Sequence, residues 1–219
     1  MRSTYRDDLP QRPERMARLP LDERGYPIPF FVGYVGGRPD FRVFDPHKLK
    51  ACVERHVCWL CGDPLGRYQT YAIGPMCAVN RVSSEPPSHL ECARYAARAC
   101  PFLVRPRAQR REANFPDDAH ATAGVMVTRN PGVVALWTSK EPPHLFRAPG
   151  GFLFRVGEPC SVEWFAEGRP ATPSEVRESF DSGVEILRGV AREQQQGAEA
   201  HLDREVARAL AYLPEVVSA

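Results

Sequence analysis

Short apolar runs separated by turn residues follow a polar start. The run GYPIPFFVGYV at 25–35 predicts a strand, and FRVF at 41–44 predicts a second strand beyond the GGRPD turn, so we expect a hairpin. Asp45 followed by Pro46 has the form of a helix N-cap with proline at the first helical position. A helix is therefore expected over 46–56, with its apolar side formed by Leu49, Cys52 and Val53.

Residues 124–166 alternate apolar runs with glycine and proline, as an antiparallel meander does. The runs GVMVT, VVALWT, GFLFRV and SVEWFA are rich in valine, phenylalanine and tryptophan, which favour strands. An Asn-Pro-Gly turn at 130–132 separates the first two runs, and a proline-rich connection separates the second from the third. We expect a small antiparallel sheet here.

The C-terminal region changes to helical periodicity. Thr172 and Glu175 form a capping box with Pro173 in the first turn. The apolar residues that follow at helical spacing are Val176, Phe180, Val184, Leu187 and Ala191. After a polar interruption at 194–197, a second helix aligns Leu202, Val206, Leu210 and Leu213 before Pro214. We expect a helical hairpin packed on the sheet in preference to an oligomer interface.

These patterns predict an α+β protein. We divide it into a flexible arm at 1–20, a region at 21–115 with the hairpin, the helix and a zinc-binding module, and a region at 116–219 with the sheet and the helical hairpin. The arm is polar and dotted with proline. With 219 residues and 43% hydrophobic content, the chain can bury a core without disulfides.

Targeting signals and the cysteine count bear on the compartment. No apolar run approaches the roughly 18 residues of a membrane span, and the charged N-terminus lacks the apolar centre of a secretory signal. The 7 cysteines are an odd number, and several have metal-like spacing, which favours thiolates on a metal over a disulfide framework. We therefore expect a cytoplasmic protein without a membrane segment.

Two ligand pairs predict a zinc site. Cys58 and Cys61 form a CxxC followed by glycine, the pattern of a tight turn that brings two thiolates to one ion. His89 and Cys92 form the second pair. Ser88 and Glu91 resemble a capping box, which would place both ligands on one face of the first turn of a helix that Pro101 ends. Three thiolates and one imidazole predict a structural Zn²⁺, and the 27 residues between the pairs can form a hairpin around RYQTYAIG.

The other cysteines compete for roles. Cys77 is the alternative fourth ligand if the strand before it turns back towards the CxxC turn of Cys58 and Cys61, here called the knuckle. The spacing leaves the choice between Cys77 and His89 open. Cys100 lies eight residues beyond Cys92, about 12 Å along a continuous helix, which is too far to share one ion. Cys52 and Cys160 are expected in the core because their neighbours are apolar.

The knuckle, the hairpin and the helix-borne HxxC resemble the treble-clef class of zinc modules over about 45 residues. The longer string CWLCG, IGPMCAVNR and EPPSHLECA is similar to a group of hypothetical phage and proteobacterial proteins, a resemblance that supports the zinc fold and supplies no activity. Some treble clefs are HNH nucleases, for which Asn80 matches the central asparagine. The hairpin histidine of those enzymes is missing here, His89 belongs to the zinc set, and His56 precedes the knuckle.

A binding module for nucleic acid or a protein partner is the function we favour. The formal net charge of +2 gives no strong electrostatic case by itself, but arginine crowds the zinc helix and the segment after it. The candidates for phosphate contacts are Arg94, Arg98, Arg105, Arg107, Arg110 and Arg111. A solvated helix face followed by a charged linker is the alternative interpretation of this cluster.

Two other functions stay open. The segment before the zinc helix is dense in polar side chains and could be a catalytic loop, with Cys77 as nucleophile and His56 or His120 as base. Its members are Cys77, Asn80, Arg81, Ser83, Ser84 and Glu85. The third possibility is a phage or accessory assembly protein that uses its C-terminal helices to dock. The sequence does not fix the oligomeric state.

Overall fold

The computed structural model describes residues 4–105, 132–148, 151–194 and 196–215. They form an α+β fold of small antiparallel sheets and helices. The strands are β1 (Val32–Val35), β2 (Arg38–Phe44), β3 (Gln69–Ile73), β4 (Val82–Ser83), β5 (Val134–Ser139), β6 (His144–Ala148), β7 (Gly151–Arg155), β8 (Pro159–Ala166) and β9 (Arg169–Pro170). The helices are α1 (Pro46–Arg55), α2 (Pro75–Asn80), α3 (Leu90–Ala99), α4 (Pro173–Arg192) and α5 (Ala198–Leu210), and a 3₁₀ turn spans Glu14–Met16.

The expected N-terminal hairpin and the helix after it are present. β1 and β2 pair antiparallel across Gly36 and Gly37, whose φ angles of 55° and 77° lie in the left-handed region that glycine tolerates. β1 is shorter than the apolar run that predicted it because Pro27 and Pro29 interrupt the run and lack backbone N–H donors. Asp45 caps α1 by accepting a 2.9 Å hydrogen bond from the backbone of His47.

The larger sheet has the strand order β3-β5-β8-β9 with antiparallel pairing throughout. All residues of β5 are buried because both faces of this central strand are covered. Ala93 and Ala97 of α3 pack with Leu136 on one face. Trp137 packs on the other face, in a core that includes Val176 of α4. The sheet thus holds α3 on one side and α4 on the other.

The expected meander is divided between two sheets. β5 and β8 belong to the larger sheet, whereas β6 and β7 form a second sheet of order β4-β7-β6. The proline-rich connection contains β6, which begins directly after Pro143, so the prolines precede the strand and leave its ladder intact. The GVMVT run at 124–128 lies outside the described residues.

The C-terminal helices form the expected hairpin. Both hydrogen bonds of the capping box are made, from the Glu175 backbone to Thr172 Oγ1 and from the Thr172 backbone to Glu175 Oε2. Every residue of the apolar stripe expected on α4 is buried. On the second helix Leu202 is buried, while Leu210 is exposed. The stripe therefore serves an intramolecular core with α2 and α5.

Residues 4–20 differ from the expected flexible arm. Met16 is only 1% exposed and packs with the Cys58 and Cys92 side chains. The hydroxyl groups of Tyr5 and Tyr95 lie 3.0 Å apart, which ties the start of the segment to α3. The apolar residues that punctuate this polar sequence supply the contacts, and Tyr5, Leu9, Met16 and Leu19 all join one cluster. The segment is thus part of the folded structure.

Candidate metal centre

A tight backbone turn presents the first pair of cysteines. The Cys58 backbone donates to Asp63 O at 2.8 Å, and the Gly62 backbone donates to Cys58 O at 2.8 Å. Gly62 has φ of 78°, and a Cβ at this position would lie 2.7 Å from the Phe30 ring. Glycine is therefore required here both by the turn and by the close approach of Phe30.

The second pair of ligands lies at the start of α3. This helix begins one residue later than the sequence predicted. His89 is the N-cap, so the expected Ser88–Glu91 capping box is wrong, and no side chain caps the helix. The Ser88 backbone instead makes two hydrogen bonds with Thr70, of 2.8 and 2.9 Å, which hold Ser88 in an extended bridge before the helix begins. Cys92 still lies within the first turn of α3.

The four side chains converge. The three Sγ atoms of Cys58, Cys61 and Cys92 and one ring nitrogen of His89 lie within 4.8 Å of one another. His89 Nδ1 is 3.4 Å from Cys61 Sγ and 4.0 Å from Cys92 Sγ. A tetrahedral metal with sulfur ligands at about 2.3 Å and nitrogen at about 2.0 Å places such S and N atoms about 3.5 Å apart. The cluster therefore has the dimensions of a four-coordinate metal site.

Outer hydrogen bonds orient the ligands. His89 Nε2 lies 3.0 Å from Pro64 O and donates to it, which leaves Nδ1 to face the sulfurs. Cys58 Sγ accepts from the backbone N–H groups of Cys61 and His89, each at 3.4 Å. Backbone donors of this kind stabilise a thiolate, and they come from the same turn and helix start that carry the ligands.

Charge is crowded in the cluster. Hydrogen bonds from Cys61, Cys92 and His89 lower the pKa of the Cys58 thiol. The hydrogen bond with Cys58, and to a smaller extent the one with Cys61, raises the pKa of the Cys92 thiol. Contact with the sulfurs of Cys58 and Cys61 raises the pKa of the His89 imidazole to about 10. Three ionised sulfurs at this spacing repel one another, so the full thiolate set needs a cation among them.

The N-terminal segment covers the cluster, a feature that the sequence interpretation missed. Met16 packs on the cysteine side chains, and all three cysteines of the cluster are buried. Arg18 donates to Cys61 O at 3.2 Å and pairs with Asp63, while Arg15 pairs with Glu91 of α3 at 2.6 Å. The cover limits the access of water and competing ligands. The apolar residues spaced through 1–20 were the available signal.

The remaining cysteines lie outside the cluster. Cys77 is on α2, partly buried against the core, and burial raises the pKa of its thiol to about 11. The convergent group of four includes His89 and not Cys77. Cys100, at the C-cap of α3, is also separate, as the helix geometry predicted. Cys52 is buried as expected, but Cys160 is exposed near the start of β8, so its core assignment is wrong.

The polar segment at 77–85 is not one loop. Cys77 and Asn80 belong to α2, and Ser83 belongs to β4. The Arg81 guanidinium contacts the rings of Trp137 and Tyr212, 4.8 and 5.2 Å from their centroids, and the two rings also contact each other. Ser83 Oγ bonds to the backbone of Glu85 within a local turn, and Ser84 follows β4 half-buried. Arg81 and Ser83 thus take part in structural contacts.

The structure describes one of the two candidate bases and three of the six candidate arginines. His56 is exposed at the C-cap of α1, and His120 lies outside the described residues. Arg94 of α3 forms an ion pair with Glu163 of β8 at 2.5 Å, which occupies the guanidinium expected to meet phosphate. Arg98 is exposed on α3, and Arg105 is exposed beyond it. The other three candidates, Arg107, Arg110 and Arg111, lie outside the described residues.

The hairpin expected between the ligand pairs is absent. β3 pairs with β5, and α2 follows β3 where the return strand was expected.

No family model, curated protein or solved structure matched the chain when it was compared with them. Within the described residues, no helix combines the length and the apolar character needed to cross a bilayer.

Proposed function

We propose that this protein is a binding module whose fold is stabilised by one structural Zn²⁺ held by Cys58, Cys61, His89 and Cys92. The observation that carries the proposal is the convergence of these four ligand atoms within 4.8 Å of one another. Three cysteines and one histidine are a ligand set of structural zinc. Sulfur ligands disfavour magnesium and calcium, which take oxygen.

A structural role is supported by the closed ligand shell. Four protein ligands complete a tetrahedral site, whereas catalytic zinc keeps one position for water or substrate. Met16 adds an apolar cover on the cysteine side chains. A treble-clef-like description rests on the knuckle and on the helix that starts at the second ligand pair, with the pairing of β3 to β5 replacing the local hairpin.

A binding role is favoured over catalysis because the polar side chains suggested for chemistry serve the fold. Cys77 has a raised thiol pKa, and the Arg81 guanidinium contacts the Trp137 and Tyr212 rings. We propose nucleic acid or a protein as the partner. Thiolate ligands persist in a reducing compartment, so a cytoplasmic location belongs to the same proposal.

The test is the metal content of the purified full-length chain, measured by elemental analysis together with the melting temperature. We expect one zinc per chain in the wild type. Cys58→Ser and Cys92→Ser remove a thiolate each and should lose the metal and melt at a markedly lower temperature, since metal binding is coupled to folding. His89→Ala should weaken zinc retention in a competition with a chelator.

Cys100→Ser is the matched control because Cys100 is a thiol at the far end of the same helix. It should keep both the zinc and the wild-type melting temperature. Absence of metal from the wild type would overturn the proposal. Full zinc retention by His89→Ala would remove His89 from the ligand set.

A further inference from the structure

The β6–β7 hairpin carries two pairs of arginine and phenylalanine. Its register places Phe146 opposite Leu153, and Arg147 opposite Phe152. The Arg155 guanidinium carbon lies 5.3 Å from the Phe146 ring centroid, and that of Arg147 lies 5.9 Å from the Phe152 centroid. Each guanidinium is thus held beside an aromatic ring at cation–π distance.

Within the described residues, no strand pairs with the outer edge of the hairpin. β6 is the outer strand of the β4-β7-β6 sheet, and Phe152 on β7 is 53% exposed. Neighbouring residues of a strand point to opposite faces, so Phe146 and Arg147 flank the edge of β6 on two sides. A ligand that crosses this edge can therefore contact one Arg–Phe pair on each face.

The second feature of the hairpin is its charge. In the four described stretches of chain, neither Arg147 nor Arg155 has a carboxylate within ion-pair distance. By contrast, Arg94 and Arg169 are paired with glutamates. Glu141, just before β6, already accepts a hydrogen bond from the Glu158 backbone at 3.0 Å. The surface is therefore complementary to a polyanion.

We propose that the β6–β7 hairpin binds single-stranded nucleic acid, with bases stacked on Phe146 and Phe152 and phosphates on Arg147 and Arg155. This inference names a partner for the binding module proposed above and rests on that proposal. An unpaired strand exposes base faces to aromatic rings, while a duplex hides them. Arginine offers phosphate a planar fork, and its stacking on the rings holds that fork in place.

The experiment is fluorescence anisotropy with the zinc-loaded full chain at several salt concentrations. The probes are labelled oligo(dT) and oligo(rU) of about 20 nucleotides, which separate DNA from RNA, and a duplex of the same length. The wild type should bind single strands more tightly than duplex. Phe152→Ala should weaken single-strand binding roughly tenfold with an unchanged salt slope, since it removes a stacking surface.

Arginine substitution should change the salt dependence instead. Combining Arg147→Gln with Arg155→Gln removes two phosphate contacts and should reduce the slope of log K against log salt by about 1.4. Tyr34→Ala is the control for Phe152→Ala because Tyr34, at 55% exposure, is an equally exposed aromatic residue on a different hairpin. Arg177→Gln, which removes a guanidinium paired with Asp181 on α4, is the control for the arginine variants. Both controls should bind as the wild type does.

Each contrary outcome is distinguishable. A zinc-loaded, folded wild type that binds no single strand, or binds duplex equally well, overturns this inference and leaves the structural zinc intact. Binding that survives all the hairpin substitutions assigns the contact to another surface and also overturns it. Displacement of the probe by polyglutamate with no effect of Phe152→Ala would identify an acidic protein segment as the partner. A chain purified without metal counts against the zinc proposal instead.

Discussion

At the scale of single residues, Arg81 connects distant parts of the chain. Its side chain is 8% exposed, its guanidinium contacts the Trp137 and Tyr212 rings, and its Nη1 atom is 3.1 Å from Glu158. Glu158 also accepts from Tyr212 Oη at 2.6 Å and from Arg208 Nη2 at 2.8 Å. One carboxylate thus joins the end of α5 to the segment after α2. Arg81 itself has φ of 54°, a left-handed conformation that the surrounding contacts hold in place.

Glu158→Gln should destabilise the protein at neutral pH and hardly at all in acid. The hydrogen bond from Tyr212, followed by that from Arg81, lowers the pKa of the Glu158 carboxyl. A lowered pKa contributes stability above the carboxyl's ordinary value of 4.5, and this contribution disappears as the pH falls through the folded-state pKa. Glu158 is half exposed, so we expect a loss of about 0.5–1 kcal/mol at pH 7.

Urea unfolding of both proteins as a function of pH measures this effect. The difference in unfolding free energy should be largest near neutrality and shrink below the ordinary carboxyl pKa. Glu178→Gln, at an exposed position of α4, should show no such pH-dependent difference. A constant difference across the pH range would mean that the charge of Glu158 does not carry the effect.

At the scale of elements, the segment 4–20 lies over the cysteine cluster and has little regular secondary structure. Its regular structure is a single 3₁₀ turn, Glu14–Met16. Met16 supplies the buried contact to the cysteines, and Arg15 and Arg18 pair with Glu91 and Asp63 at the rim. Because both ion pairs are largely exposed, the apolar contact of Met16 should contribute most of the holding energy.

Met16→Ala should therefore lower the unfolding free energy by about 2–4 kcal/mol and speed the transfer of zinc to a chelator. Removal of the buried thioether leaves a cavity over the cysteines and lets water and chelator approach them. Zinc transfer to a coloured chelator, followed by absorbance, gives the rate. Gln11→Ala alters an exposed position of the same segment and should leave the rate unchanged. Equal rates for Met16→Ala and the wild type would show that the segment does not protect the site.

Local signals made most of the elements predictable. Asp45 with Pro46, and Thr172 with Glu175, act within one helical turn, so the sequence identifies those helix starts directly. The ligand spacing likewise depends on one turn and one helix start. The pairing of β3 with β5 joins residues about 65 positions apart, and no local pattern encodes that partner. The one-residue error at Ser88 has the same cause, because Thr70 lies outside the local pattern.

Long-range contacts also explain what was missed at the candidate sites. Arg94 and Glu163 are 69 positions apart, so the sequence could count the arginine but could not show that a carboxylate occupies it. Met16 lies in a segment of polar composition, and composition alone indicated a flexible arm. β6 was hidden by the prolines before it. For Arg94 and Met16 the deciding partner is distant in the sequence and close in the fold, whereas β6 was hidden by a local signal.

At the scale of the whole molecule, the cluster of candidate metal ligands belongs to one part of the core. The cluster of Cys58, Cys61 and Cys92 includes residues of α3 and of the N-terminal segment. The opposite side of α3 packs against Leu136 of the larger sheet. A separate core surrounds Trp137, and the helices α2, α4 and α5 share another. Helix α3 is thus the element that joins the region of the four candidate ligands to the rest of the protein.

Removal of zinc should loosen these regions to different degrees. Without a cation the crowded thiolates must take up protons, and the energy of metal binding that fixes the knuckle and the start of α3 is lost. The core around Trp137 and Phe180 contains no metal ligand and should stay folded. In hydrogen exchange of the chelated protein, protection should fall over 5–19, 57–65 and 88–95 and persist in β5 and α4. Zinc addition should restore it. Uniform loss across the chain would mean that α3 transmits unfolding to the sheet, and unchanged protection would mean that the metal is not needed for this part of the fold.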